Sequence, residues 1–114
     1  MSVTVPRNNW FVAARSNQLR KNRVLARKIV DVPIVLYRSN EGTPIVLLDR
    51  CPHKNVPLSM GRLERGQLEC RYHGWRFDHT GRCLNVPCHE PSEKLPDCQV
   101  PTFTTVEQDG WIWI

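Results

Sequence analysis

The chain of 114 residues carries 16 Lys or Arg against 11 Asp or Glu, a formal net charge of +5 at pH 7. This length allows one domain with a modest core, so residues 1–114 are predicted to form a single domain. The basic excess lies mostly in residues 1–38, which hold eight Lys or Arg and one acid, Asp31. Aromatic residues are not interleaved with these charges as a nucleic-acid stacking surface requires, so an acidic protein partner is the better interpretation. A solvated basic surface explains the same charges.

The five cysteines indicate the compartment in which the chain works. An odd number of cysteines argues against a disulfide framework. Residues 1–6 lack the apolar core of an export signal, and no apolar run in the sequence reaches membrane-spanning length. These features predict a protein of the reducing cytoplasm, without a membrane partner.

The predicted elements are short strands joined by turns, and no segment has a sustained helical period. Apolar or alternating stretches predict strands at residues 9–15, 23–30, 34–38, 44–49, 75–78, 82–86, 102–106 and 111–114, and residues 62–70 are predicted to form a hairpin. Turn signals at residues 39–42, 64–66, 80–81 and 108–110 join neighbouring strands into hairpins. Residues 87–101 contain four prolines and are predicted to form an extended surface loop. The sequence therefore predicts an all-β fold of small antiparallel sheets.

The strongest motif is a pair of cysteine–histidine loops. Cys51-Pro52-His53 is followed, after sixteen residues, by Cys70-Arg71-Tyr72-His73. A zinc finger normally groups its cysteines in one pair and its histidines in another, whereas each loop here supplies one sulfur and one nitrogen. Two sulfurs can then bind one metal and two nitrogens a second, which is the ligand set of a Rieske [2Fe–2S] centre. A four-ligand zinc site remains an alternative that the spacing allows.

The two loops and their flanks resemble those of Rieske non-haem iron oxygenases, the aromatic ring-hydroxylating family. Residues 51–59 and 70–78 are similar to the two cluster loops of that family, and residues 9–19 to the start of its chains. Residues 81–88 and 106–113 are similar to the end of its N-terminal domain. The resemblance implies a Rieske-type fold of small antiparallel sheets with two cluster-binding loops.

The same resemblance implies the cofactor and its ligands. Cys51 and Cys70 are expected to bind one iron of a [2Fe–2S] cluster, and His53 and His73 the other, which is the iron that is reduced. In the family such a cluster passes electrons to a catalytic iron held by two histidines and a carboxylate. The expected partners are therefore a reductase or ferredoxin and an oxygenase catalytic domain.

No catalytic residues are assigned to this chain. Beyond the cluster ligands only His79 and His89 remain for a second iron, and no predicted helix presents them together. The chain is expected to carry electrons as the electron-transfer component of an oxygenase system, without itself activating oxygen. Two alternatives remain open: a stand-alone Rieske ferredoxin that serves another enzyme, and a zinc-binding interaction module.

Residues outside the ligand set carry further expectations. High-potential Rieske proteins place serine and tyrosine hydroxyls against the cluster sulfurs, where this chain has Trp75 and Phe77. Loss of these hydrogen bonds predicts a potential near the low end of the Rieske range, roughly −150 mV. The other tryptophans, Trp10, Trp111 and Trp113, are predicted to lie in the core. The remaining cysteines, Cys83, Cys88 and Cys98, are predicted to be small buried or half-buried thiols.

Overall fold

The computed structural model describes residues 10–51, 56–64, 66–71, 75–85 and 99–114. Its strands are β1 (Val12–Arg15), β2 (Leu25–Ile29), β3 (Val32–Arg38), β4 (Pro44–Leu48), β5 (Arg62–Glu64), β6 (Gln67–Glu69), β7 (Arg76–Phe77), β8 (Cys83–Asn85), β9 (Val106–Gln108) and β10 (Trp111–Trp113). Short 3₁₀ turns cover Ser16–Gln18 and Leu58–Met60. Every strand pairing is antiparallel, so the predicted all-β fold is confirmed.

The strands form three sheets. Sheet A has the order β1-β10-β9, sheet B the order β2-β3-β4, and sheet C the order β5-β6-β7-β8. The hairpins predicted between β3 and β4, β5 and β6, and β7 and β8 are present. A hairpin also forms around the predicted turn before β10, but its first strand is β9 and not residues 102–106. Within the part of the chain that the structure describes, no helix is long and apolar enough to cross a membrane.

Sheet B provides the centre of the core. Four consecutive residues of β3, from Ile34 to Tyr37, have no exposed surface, so both faces of this strand are covered. β3 begins at Val32, two residues before its predicted start. Its neighbour β4 ends at Leu48, which pairs with Ile34, and the chain then continues to Cys51. We call the end of sheet B at which β4 leads to Cys51 the cluster end. The opposite end, with the turn between β3 and β4, is the far end.

The outer edge of β4 is covered by a segment that was predicted to belong to another hairpin. Leu48 donates a backbone hydrogen bond to Pro101 O (2.9 Å), and Phe103 donates one to Val46 O (3.1 Å). The predicted strand over residues 102–106 is therefore wrong for most of its length. Residues 101–103 pair with β4 because an exposed strand edge offers unpaired backbone groups, and β9 begins only at Val106.

The prediction that Trp10 and Trp111 lie in the core is also wrong. Trp10 is 54% exposed and Trp111 is 37% exposed, whereas Ile112 between the two strand tryptophans is fully buried. Side chains alternate between the faces of a strand, so Trp111 and Trp113 share the outer face of sheet A and Ile112 fills the core. The guanidinium of Arg15 lies over the ring of Trp111, 5.4 Å from its centroid.

The far end of sheet B is fastened to sheet A by Arg38. Its Nε donates to Leu19 O (2.7 Å), Nη1 to Gly42 O (2.9 Å) and Glu107 Oε1 (3.0 Å), and Nη2 to Ser16 O (3.0 Å) and Glu107 Oε2 (2.7 Å). All five guanidinium donors are thereby used. The hydrogen bond with Glu107 raises the pKa of Arg38 and, in return, lowers the pKa of Glu107. The Arg38 contacts thus join three segments that are distant in sequence.

Candidate metal centre

Both predicted ligand loops begin in the same way. Cys51 N donates a backbone hydrogen bond to Val56 O (2.8 Å), and Cys70 N donates one to Trp75 O (2.7 Å). Each bond closes the base of a loop over the same number of residues. The two predicted histidine ligands, His53 and His73, lie outside the described residues. The structure therefore places the cysteine of each pair and shows that the two loops start alike.

The two cysteine side chains are suited to a soft metal. Cys51 is 1% exposed and Cys70 has no exposed surface, and both belong to the same hydrophobic core. Both are thiols rather than halves of a disulfide. Thiolates are the ligands that iron–sulfur irons prefer, and burial excludes competing water. On the sulfur side, the residues therefore fit a [2Fe–2S] cluster.

The first loop is clamped across its ends by Asp49. This carboxylate is 7% exposed and accepts hydrogen bonds from Ser59 N (2.7 Å) and Ser59 Oγ (2.6 Å). Asp49 N also donates to Pro33 O (3.0 Å), which ties the start of the loop to β3. Hydrogen bonds to a buried carboxylate are short and strong. The Asp49–Ser59 pair thus holds together the two chain segments that flank Cys51.

Sequence reasoning did not single out Asp49 or Ser59. An acid at the end of an apolar strand, two residues before a ligand, was a usable signal. An aspartate that directly follows the apolar residues of β4 is a candidate for burial with a partner. The identity of that partner depends on the turn of Leu58–Met60, which the sequence did not predict.

The exit of the first loop packs directly on the entrance of the second. A Cβ on Gly61 would lie 1.9 Å from Glu69 O and 3.2 Å from Arg71 N, the backbone atoms that flank Cys70. No side chain fits in this space, so only glycine permits the approach. The contact fixes the position of one ligand loop relative to the other.

A row of charges crosses sheet C beside this contact. Glu69 pairs across the sheet with Arg62 on β5 and Arg76 on β7. Its carboxylate lies 3.6 Å from Arg62 Nη2 and 3.2 Å from Arg76 Nε. The side chain of Glu69 is 17% exposed, and that of Arg62 is 69% exposed. The acid is therefore enclosed between two cations, one of which faces solvent.

The residues after the second loop pack into the core. Phe77 is fully buried and pairs with Leu68 and Cys83 on the neighbouring strands. Trp75 packs against the same hydrophobic core. Cys83 is 4% exposed, in agreement with its prediction as a small buried thiol, while Cys88 and Cys98 lie outside the described residues. Phe77 therefore fills the core beside β6, the strand that leads to Cys70.

The turn after Phe77 is organised by a carboxylate. Asp78 Oδ1 accepts hydrogen bonds from Thr80 N (2.8 Å), Thr80 Oγ1 (2.5 Å) and Arg82 N (3.1 Å). Burial tends to raise the pKa of Asp78, but the hydrogen bonds outweigh it and hold the pKa below its ordinary value. Burial, followed by the charge of Asp78, raises the pKa of the Tyr37 phenol. His79 is an exposed residue of this turn.

Comparison with known proteins agrees with this geometry. Residues 9–104 match the family described as the Rieske [2Fe-2S] domain. Over 112 residues the chain is 43% identical to the oxygenase component of dicamba O-demethylase from Stenotrophomonas maltophilia, covering 98% of this chain and 32% of that protein. It is 36% identical over 106 residues to the chloroplastic protein TIC 55 of Arabidopsis thaliana, covering 92% of this chain and 20% of that one.

A solved structure shows the same fold. The crystal structure of dicamba monooxygenase superposes with a TM-score of 0.85 at 43% identity, covering 94% of this chain and 33% of that chain. The chain thus spans about a third of the length of dicamba monooxygenase, and less of some other relatives.

The chain belongs to the Rieske [2Fe–2S] domain family. Membership implies a Rieske-type [2Fe–2S] cluster as cofactor. Its relatives include the oxygenase component of dicamba O-demethylase and an iron-sulfur subunit of a toluene-4-sulfonate monooxygenase system from Comamonas testosteroni.

Proposed function

We propose that residues 1–114 form a single Rieske domain that transfers one electron at a time through its cluster. Cys51 and Cys70 would hold one iron, and His53 and His73 the other. The observation that carries the proposal is the pair of buried cysteines, each at the start of a loop closed by a backbone hydrogen bond, within the family match. When bound, the cluster supplies a centre that accepts and donates single electrons.

The surrounding residues would hold these ligands in position. The Asp49–Ser59 pair fixes the first loop, and the contact of Gly61 with Glu69 O fixes the first loop against the second. Ligands held by a rigid surrounding shell need little rearrangement when the charge of the centre changes. Such rigidity suits a carrier that must accept and release electrons quickly.

The proposed setting is an oxygenase system. Dicamba O-demethylase is named for its substrate, and this chain corresponds to about a third of that protein. We propose that the chain acts as the electron-transfer domain or component, and that the oxygen-activating iron belongs to a catalytic domain outside these residues. The proposed partners are a reductase or ferredoxin and that catalytic domain. The proposed location is the cytoplasm, with no nucleic-acid or membrane partner.

Metal and sulfide analysis combined with redox titration tests the proposal. The purified chain should contain two irons and two acid-labile sulfides and should take up one electron reversibly. Cys51→Ala should remove the cluster and the electron uptake together. A stable, colourless protein with one zinc and no sulfide would contradict the proposal and favour a zinc-binding module.

A further inference from the structure

One exposed apolar side chain lies directly after the first ligand loop. Met60 ends the 3₁₀ turn Leu58–Met60 and is 53% exposed. Two arginines accompany it: Arg62, whose side chain is 69% exposed, and Arg71, which is also exposed. We call Met60, Arg62 and Arg71 the Met60 surface. Methionine adapts its shape to a partner, and both Met and Arg are enriched at protein interfaces.

A cleft on the Met60 surface lies beside a proposed cluster ligand, Cys70, which is itself fully buried. Met60, Gly61 and Arg62 line it on the side of the first loop, and Glu69, Cys70 and Arg71 on the side of the second. Its volume is about 320 Å³. Because Cys70 lines the cleft, a protein docked over it would lie close to the proposed iron site. Electron transfer between proteins slows steeply with distance, so a surface next to a ligand suits a redox partner.

The charge around this surface selects an acidic partner. Among the described residues at this surface, the three cations Arg62, Arg71 and Arg76 outnumber the two acids, Glu64 and Glu69. One of these acids, Glu69, is enclosed by Arg62 at 3.6 Å and Arg76 at 3.2 Å, with 17% of its side chain exposed. The other acid, Glu64, lies 3.9 Å from Arg62 Nη2 with 36% of its side chain exposed, so Arg62 is more exposed to solvent than either acid. A positive surface attracts an acidic protein and orients it before contact.

We propose that the Met60 surface docks an acidic one-electron donor of the ferredoxin type, an inference that rests on the proposed function. One electron leaves the donor's reduced [2Fe–2S] cluster and is accepted at the Rieske centre, and no covalent bond forms or breaks. Plant-type ferredoxins have lower potentials than Rieske centres, so the electron moves downhill. Met60 supplies the apolar contact, and Arg62 and Arg71 supply the charge complementarity.

The other basic region of the described chain provides a matched control. Arg20 and Arg23 are exposed and follow Leu19, whose carbonyl oxygen accepts from Arg38 at the far end of sheet B. They contribute to the net charge but lie away from the cluster end. Reversing the charges of Arg20 and Arg23 changes the net charge of the protein by the same amount as reversing those of Arg62 and Arg71. A difference between the two changes therefore reports position rather than total charge.

The experiment uses the cluster-loaded protein and a plant-type [2Fe–2S] ferredoxin as the acidic probe. Isothermal titration of the two oxidised proteins measures the Kd, and stopped-flow mixing with reduced ferredoxin measures the second-order rate constant. The double variant R62E/R71E should weaken binding and slow reduction about tenfold at low salt, a difference that should shrink at about 0.5 M salt. The control R20E/R23E should change the Kd and the rate constant by less than about twofold.

Further variants separate the contributions. Met60→Ala should weaken binding about threefold without altering its salt dependence, because it removes apolar contact only. Arg71→Glu alone leaves the Arg62–Glu69 pair in place, so it tests the surface if the double variant does not fold. Reduction by dithionite should be equal in all variants, which confirms an intact cluster.

The possible results distinguish the two proposals. Equal losses in R62E/R71E and R20E/R23E, or no loss in the former, would overturn the docking site while leaving the proposed function standing. A wild-type protein that assembles no cluster would instead overturn the proposed function. Preferential loss in R62E/R71E, matched by the binding measurement, supports the docking site.

Discussion

The two ends of sheet B are joined to the surrounding segments by different kinds of contact. At the cluster end, backbone hydrogen bonds close both ligand loops, a buried carboxylate clamps the first loop, and Gly61 allows direct backbone contact. At the far end, one side chain, Arg38, joins three distant segments through its five donors. The cluster end relies on close backbone contact at Gly61 and on buried hydrogen bonds, whereas the far end relies on a charged network that solvent partly reaches. Substitutions should therefore act differently at the two ends.

The largest expected effect is steric and lies at the cluster end. Gly61→Ala would place a Cβ 1.9 Å from Glu69 O, which the backbone can relieve only by separating the two ligand loops. We expect a loss of about 3 kcal/mol in the free energy of unfolding, together with lower cluster content. Denaturant unfolding and iron analysis measure the two effects.

Gly42→Ala at the far end is the matched control for Gly61→Ala. Gly42 has φ of 86° and open space around its Cβ direction, so its substitution meets conformational strain but no clash. It should cost about 1 kcal/mol and leave the iron content unchanged. Equal costs at the two glycines, or full iron content in the Gly61 variant, would show that the close contact does not set the loop positions.

The next effect concerns the Asp49 clamp. Asp49→Ala leaves the part-buried amide and hydroxyl of Ser59 without their acceptor and should cost about 2 kcal/mol, because donors that lose their partner away from bulk water are expensive. Ser59→Ala removes the hydroxyl but keeps the amide hydrogen bond, so it should cost less, about 1 kcal/mol. Denaturant unfolding of both variants gives the order. A larger loss in the serine variant would assign the clamp to the hydroxyl rather than to the amide.

At the far end, the expected effect is smaller and depends on pH. The hydrogen bond from Arg38 lowers the pKa of Glu107 in the folded state, so its contribution to stability is present above the unfolded pKa. That contribution disappears as the pH falls through the folded pKa. Because Glu107 is partly exposed, Glu107→Gln should cost only about 1 kcal/mol at neutral pH.

A pH series of unfolding measurements checks this account. The difference between the wild type and Glu107→Gln should shrink as the pH falls through the lowered pKa of Glu107 and disappear once the glutamate of the wild type is also neutral. A difference that remained constant with pH would mean that shape, and not charge, matters at this position. Salt should reduce the neutral-pH difference in the same protein.

The smallest expected effect is a gain in stability. Val30 and Asp31 form the turn between β2 and β3 with φ of 48° and 64°. A β-branched residue is poorly suited to positive φ, whereas asparagine accepts it. Val30 is 51% exposed, so Val30→Asn should lose little burial and stabilise the protein by about 0.5 kcal/mol. An unchanged or lower melting temperature would show that Val30 contributes more packing than its exposure suggests.

Features that depend on neighbouring residues were easier to predict from the sequence than contacts between distant segments. A cysteine–histidine pair within a few residues, with turn residues around it, can be recognised from the sequence alone. The contact between Arg38 and Glu107 spans 69 residues, and no pattern in either segment points to the other. Likewise, the contact of Gly61 with Glu69 O appears only when two loops meet.

The errors in predicting burial have a physical cause as well. Trp10 and Trp111 were predicted as core because large aromatic residues usually bury most of their surface. The exposed face of a strand can nevertheless carry Trp111, and the register of β10 with β1 places Ile112 inward instead. Trp10 precedes β1 and lies outside the strands. The predicted low potential, inferred from Trp75 and Phe77, stays a prediction.

Mössbauer spectroscopy of the ⁵⁷Fe-labelled protein tests the central claim most directly. The claim is that two cysteines hold one iron and two histidines the other. The account predicts two irons in equal amounts with distinct spectra, and one-electron reduction that changes the spectrum of one iron only. Two equivalent irons, or one iron per chain, would contradict the assignment of Cys51, His53, Cys70 and His73 as the ligand set.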